Sequence, residues 1–189
     1  MKHSKRRILL VVVILVVVAG GTVGYYFLSD RDGFEVRRET SPDNGSERYE
    51  KKITHLYFSD SEERFLKAEE RILPVYDTMS ENARAAVEAL IGGPNGKFSR
   101  TIPEGTVLLS IYLTPDRTAY VDFDETITEK HPGGAGSELL TVFSIVNTLT
   151  LNFPEIDKVK ILIRGREHKT LAGHVFLQQS FDANLLLIR

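Results

Sequence analysis

The chain has 189 residues, a formal net charge of −2, a hydrophobic share of 42% and no cysteine. That is room for one ordinary domain with extras, and it is too apolar for a wholly disordered chain. The absence of cysteine excludes disulfide frameworks, thiolate chemistry, cysteine metal sites and an acyl anchor on an N-terminal Cys.

Lys2, Lys5, Arg6 and Arg7 precede an almost unbroken apolar run from Ile8 to Leu28. About 20 apolar residues cross a bilayer, whereas a cleaved signal has an apolar core of about 7–15 residues and a small-x-small site. Ala19-Gly20-Gly21 is a poor version of that site, and Tyr25, Tyr26 and Phe27 read as an interfacial aromatic belt. The expectation is a basic cytoplasmic segment at 1–7 and an uncleaved single-pass anchor at 8–28 in the inner (cytoplasmic) membrane. By the positive-inside rule the rest is extracytoplasmic, in the periplasm or its equivalent. Without the four cations, residues 8–189 carry −6 of the chain's formal charge. An acidic body argues against nucleic acid as a partner, because such binding needs basic patches.

Residues 29–50 are polar, charged and rich in turn formers, which reads as a flexible tether. The folded domain is expected over 51–180, with a C-terminal tail at 181–189. "KITHLYF" (Lys52–Phe58) has strand composition, "SDSEER" is a loop, and "FLKAEERILPV" is a second strand that Pro74 ends or leaves at an edge. Ser80 is expected to cap a helix with Ala83, Ala86, Val87, Leu90 and Ile91 on one face, and Gly92-Gly93-Pro94 stops it. Thr106–Leu113 and Thr118–Phe123 flank a turn at 114–117 and read as a hairpin. Alternation puts Val107, Leu109, Ile111 and Leu113 inward on its first strand, and Ala119, Val121 and Phe123 inward on its second. A helix over Ser137–Asn152 presents Leu139, Val142, Val146, Leu149 and Phe153 as a stripe widened by Leu140 and Phe143. Asn147 is a polar member of that setting, either bonded to nearby backbone or at its rim. "IDKVKILIRG" is a strand with Val159, Ile161 and Ile163 inward and Lys158 and Lys160 outward. Val175–Gln178 reads as a short edge strand, and the final "NLLLIR" as a tail that packs. The order β-β-α-β-β-α-β predicts an α+β fold: a small mixed sheet with two helices packed on one face.

Chemical motifs are sparse. Gly133-Gly134-Ala135-Gly136-Ser137 ahead of a helix raises the possibility of a phosphate cradle. No Lys follows, Leu139 stands where a dinucleotide fingerprint needs a small residue, and Glu138 sits where an anion would bind. The favoured reading is a turn with Ser137 as helix cap. Asp122 and Asp124 share a strand face and could bind a cation or act as an acid–base pair, but a solvated outer face is the simpler reading. His55, His131, His168 and His174 show no His-Glu-x-x-His spacing; His168 and His174, six apart in a glycine-containing loop, are a weak metal signal, and a structural or surface role is the favoured reading. Ser137 near His131 is read as a helix start rather than a nucleophile with its base. No catalytic residue, metal ligand or cofactor-binding residue is assigned, and no cofactor is expected.

With these residues in hand, the chain resembles the GerM (sporulation and spore germination) domain family, with ordered matches through 53–174. "LYF" with "FLKAEERIL" resembles the family's strand pair ending at Glu70-Arg71, and "AAVEALIGGP" is similar to its first helix and Gly-Pro stop. "IPEGTVLLSIYL" and "AYVDF" resemble its central hairpin. "GGAGSELL…IVNTLTLNFPEIDKVKILIRG" and "TLAGH" resemble its second helix, following strand and closing Leu-x-Gly-His. The resemblance implies a small α+β domain related to ring-building motifs, no catalytic residues, and a role in envelope assembly. Founding members carry two domains and a lipid anchor and act in spore formation and germination. This chain departs from them with one copy and an apparent transmembrane anchor. The expected function is therefore a non-enzymatic, membrane-anchored envelope protein that binds an envelope protein partner or itself. The alternative is a cell-wall glycan or small-molecule binding module, with Tyr57, Tyr76, Tyr112 and Tyr120 as its stacking surface.

Overall fold

The computed structural model describes residues 50–189. The expected segments at 1–7 and 8–28, and all but the last residue of the 29–50 tether, lie outside the described residues. Among the described residues, no helix is long and apolar enough to cross a membrane.

Strand β1 (Lys51–Ser59) and strand β2 (Leu66–Pro74) form an antiparallel hairpin in unbroken register, Lys51 against Pro74 through Ser59 against Leu66. The Asp60 carboxylate closes its turn by accepting the N–H groups of Arg64 at 2.9 Å and Phe65 at 3.4 Å. Thr54, Leu56 and Phe58 alternate into the core, as a half-buried strand requires.

Helix α1 (Met79–Gly92) buries Ala83, Ala86, Val87 and Leu90. Its cap is Thr78, not the expected Ser80. The Thr78 hydroxyl accepts the Glu81 N–H while the Glu81 carboxylate accepts the Thr78 N–H. That reciprocal box needs Glu or Gln three residues after the cap, which Thr78 has; Ser80 is followed at that place by Ala83.

Strands β3 (Leu108–Leu113), β4 (Thr118–Phe123) and β5 (Lys158–Ile163) make a second, mixed sheet in that order, β3 antiparallel and β5 parallel to the central β4. The inward face of β4 is as expected, with Ala119, Val121 and Phe123 fully buried. The inward face of β3 is not. A bulge lies between Leu108, opposite Phe123, and Ser110, opposite Asp122. The extra residue reverses the alternation. Leu108 turns inward with Ile111, while Val107 and Leu109 stay exposed at 52% and 45%.

A one-turn helix, α2 (Thr126–Glu129), follows β4, and the long helix α3 (Ala135–Asn152) returns the chain to β5. The order and the α+β class are those expected, with α2 added and the strands divided between two sheets. Residues of both long helices, the inner face of β3–β5 and Leu56 and Phe58 of β1 form one continuous apolar core. Leu139, expected in the α3 stripe, is 36% exposed instead, while Glu138 beside it is fully buried.

The remaining chain is pinned rather than regular. Val159 and Phe181 exchange backbone hydrogen bonds at 2.9 and 2.8 Å, and Ile188 bridges Leu66. The expected strand over Val175–Gln178 reduces to an isolated Thr170–Phe176 bridge. Leu187 and Ile188 pack beside Tyr57, Leu66 and Leu140, whereas Leu185 and Leu186 are exposed.

One feature of α3 ties the two sheets together. Thr141, Ser144, Thr148 and Asn152 recur at helical spacing and make a polar row along one side of the helix. The row lies against the edge of β1 that β2 does not pair. Asn152 accepts the His55 N–H at 2.8 Å and donates to the His55 carbonyl at 2.7 Å. The Thr148 hydroxyl accepts the Tyr57 N–H at 3.2 Å. Ser59 and Ser99 exchange backbone bonds at the strand end. Beyond it, the Thr101 hydroxyl donates to Ser144 at 2.8 Å, and Thr141 donates to the Thr101 carbonyl at 2.5 Å. The helix thus supplies with side chains what a neighbouring strand would supply with backbone.

Thr148→Val keeps the volume and removes the acceptor. It should cost about 1–3 kcal/mol, the usual penalty for stranding a buried N–H. Asn152→Ala, which strips two backbone groups of partners, should cost at least as much. Urea unfolding of the full chain measures both; a Val variant as stable as wild type would show that the row is not needed.

Candidate functional site

The start of α3 opens onto a cleft of about 120 Å³ lined by Ser59, Arg100, Thr101, His131, Ser137 and Thr141 among others. Gly133 and Gly134 have φ of 78° and 94°, a region closed to most side chains, so the turn does require glycine there. Gly134 stands at the cap position, and no side chain caps the helix. The expected capping role of Ser137 is not realised. Its hydroxyl turns back to donate to the carbonyls of Gly133 and, at 3.2 Å, Gly134.

His131 does not meet Ser137. Its Nδ1 accepts the Gly133 N–H at 3.0 Å, which leaves the ring proton on Nε2, facing Thr141 Oγ1 at 2.9 Å. The Thr141 hydroxyl is aimed at the Thr101 and Ser137 carbonyls and so receives that proton bond. Burial lowers the His131 pKa from its ordinary value, against the opposing pull of the Glu138 charge. A Ser–His nucleophile pair would need the Ser137–His131 bond; here each side chain is spent on other groups.

Glu138, in the first turn of α3, has a role that its place beside the glycine turn does not announce. It is fully buried beneath the loop at 172–175. Its carboxylate accepts the N–H groups of Ala172 at 3.2 Å, His174 at 3.0 Å and Val175 at 2.8 Å, and pairs with His174 Nδ1 at 2.8 Å. Burial alone would raise its pKa, but the three N–H groups and His174 outweigh it and hold the group at about 2. The ordinary negative charge near a helix N-terminus becomes a staple between α3 and the C-terminal loops.

The other carboxylates are used the same way. Asp122, expected on a solvated face, is buried and accepts the Gly165 N–H at 2.8 Å. Asp124 accepts the Val107 N–H at 2.8 Å and the Thr126 hydroxyl at 2.5 Å. The two are committed to different loops and do not work as an acid–base pair. Glu69 accepts the N–H groups of Asn95 and Gly96, both at 3.1 Å, and pairs with Arg71, which donates to the Gly93 carbonyl at 2.8 Å. Glu69-x-Arg71 therefore clamps the Gly-Pro stop after α1. Burial raises the Glu69 pKa, and the Asn95 N–H, Arg71 and Gly96 N–H bring it below the usual value.

His55 lies 3.6 Å from Glu70 across the hairpin. His168 lies apart from His174, on a second depression that also touches Glu125. Among the described residues, no group of three or more His, Asp or Glu is arranged to hold a metal ion. Of the four tyrosines, the structure brings together two. Tyr112 and Tyr120 stack on the outer face of the second sheet, centroids 4.9 Å apart and 5° from parallel. Tyr57 is buried in the small cluster with Leu66 and Leu140. Asn147 meets the first expectation for it, donating to the Asn184 carbonyl and accepting the Asn184 N–H.

Glu138 makes stability depend on acid. Its folded pKa of about 2 lies below the ordinary 4.5, so its contribution is complete above pH 4.5 and is lost as pH falls through about 2. The stability gap between wild type and Glu138→Gln should be on the order of 3 kcal/mol at neutral pH. It should close between pH 4.5 and 2, as read by thermal unfolding of both proteins across that range. A gap that does not change with pH would contradict the stapling role.

The search of curated proteins finds no significant match. Solved structures do match. A Clostridium perfringens chain described as a lipoprotein is 26% identical, with a TM-score of 0.52 over 70% of this chain and 87% of that one. The first GerMN domain of the Bacillus subtilis sporulation protein GerM is 26% identical, with a TM-score of 0.53 over 71% of this chain and 98% of that domain. The tandem GerMN domains of the same protein give 25% identity and a TM-score of 0.56, over 70% of this chain and 46% of the tandem. The family model of Germane, sporulation and spore germination, matches residues 55–169, and the chain belongs to that family.

Proposed function

We propose that the chain is a membrane-anchored, extracytoplasmic envelope protein whose Germane domain works by assembly, with an envelope protein partner or with itself, and not by catalysis. The observation that carries this reading is the family match over residues 55–169, supported by the likeness to single and tandem GerMN domains of a sporulation protein. The apolar run at 8–28 behind four basic residues supplies the anchor, and 29–50 the tether. A structural neighbour described as a lipoprotein fits the same side of the membrane. The domain's polar residues support a non-enzymatic role, since Ser137, His131, Asp122, Asp124 and Glu138 are each engaged in holding loops. The hairpin supplies an apolar contact surface, with Ile53 directly opposite Ile72 at 54% and 70% exposure. The process served is sporulation, germination or another envelope machine.

Photocrosslinking in cells from positions 53 and 72 of the full chain should capture an envelope protein or a second copy. Ile72→Glu should abolish the adduct without lowering the thermal midpoint. A strictly monomeric full chain with no adduct from either position would overturn the proposal.

The Tyr112–Tyr120 stack favours a second reading, a glycan-binding face. On that reading wall fragments should raise the thermal midpoint of wild type but not of Tyr112→Ala.

A further inference from the structure

At the end of β5, Ile163 and Arg166 exchange backbone hydrogen bonds at 3.0 and 3.1 Å across a two-residue turn. Both turn residues are left-handed, Arg164 at φ 51° and Gly165 at φ 70°. Such turns are normally built from Asn-Gly, since a bulky side chain is strained at the first position. Arg164 is held there by two bonds from its guanidinium to the Glu125 carboxylate. That pair is exposed, and exposed pairs contribute little to stability. Strain kept at a residue without a matching gain in stability points to use of the side chain.

Arg164, Glu125, Ile163, Arg166 and His168 line an open depression of about 460 Å³. Arg164 and Glu125 cancel one another. Among the described residues, the side chains of Arg166 and His168 have no hydrogen-bond or ion-pair partner. The neighbouring acids are largely occupied. Glu167 pairs with Lys160 at 3.1 Å, and Asp124 is bonded to Val107 and Thr126. Glu129 lies within electrostatic range of Arg164, and Lys169 follows in sequence.

We propose that this depression binds a phosphate ester. A guanidinium fork and an imidazole converging on a concave surface suit an oxyanion with several acceptor oxygens. The Glu125–Arg164 pair fixes the wall while Arg166 and His168 supply the contacts. The site is separate from the apolar hairpin face, and it stands whether or not the assembly reading does.

The test uses the full chain in lipid nanodiscs at constant ionic strength, with glycerol phosphate as the probe. In phosphatidylcholine discs, saturable binding that is about tenfold weaker in the Arg166→Gln, His168→Gln double variant supports a soluble ester; one charge-assisted contact accounts for a change of that size. In phosphatidylglycerol discs without probe, shifts of the Arg164 side-chain NMR signals that vanish in the double variant identify a lipid headgroup as the source. Arg164→Asn should weaken binding and raise the thermal midpoint, because Asn is at home in this turn. A purely structural Arg164 would instead lower the midpoint and leave binding unchanged. No binding in either disc, or equal binding by the double variant, overturns the proposal.

Discussion

The fold depends on how α3 meets the open edge of β1. A two-stranded hairpin is marginal by itself, and here its second edge is completed by the side chains of Thr148 and Asn152 rather than by backbone. Once that contact is made, Leu56 and Phe58 of β1 share a core with Ile145 and Leu149 of α3, and both with the inner face of β3–β5. Two sheets become one body without a strand that joins them. The same helix carries Glu138 at its other end, so it organises the N-terminal hairpin and the C-terminal loops together.

Carboxylates organise the loops in a common way. Asp60, Glu69, Asp122, Asp124 and Glu138 each accept backbone N–H groups from a turn that has no regular partner. A charged acceptor makes a stronger bond than a neutral one. With much of the chain after β5 irregular, these bonds do the positioning that strands do elsewhere. They also account for the acids that alternation and spacing offered as candidate chemistry, since Asp122, Asp124 and Glu138 are committed to holding loops.

Much of the architecture was legible in hydrophobic spacing. Apolar alternation marks the core-facing residues of β4 and β5, and the 83-86-87-90 spacing marks α1; the outer faces of the two strands are largely covered as well, and Lys160, expected outward, is buried with its ammonium donating to the Gln178 carbonyl at 2.6 Å. What was not legible has long-range causes. The β3 bulge inverts which of Val107, Leu108 and Leu109 is buried, and nothing local announces it. Thr141, Ser144 and Thr148 look like neutral helix residues until the β1 edge arrives. Glu138 reads in the sequence only as a charge that excludes an anion beside a glycine turn, and its partners at 172–175 lie more than thirty residues on. Only the Thr78-x-x-Glu81 box was available in the sequence and outranked by the nearer Ser80.

The pairing of His55 with Asn152 spans 97 residues. A chain made from its N-terminus exposes β1 long before the helix that completes it exists. Closing so long a loop is entropically slow. Until then the strand's bare edge can pair with any passing strand. Lys51 and Lys52 at its start and Glu69, Glu70 and Arg71 on its partner are the kind of charges that discourage such pairing. The hairpin's open edge is thus completed only once α3 has been made, with β5 and the C-terminal loops still to follow.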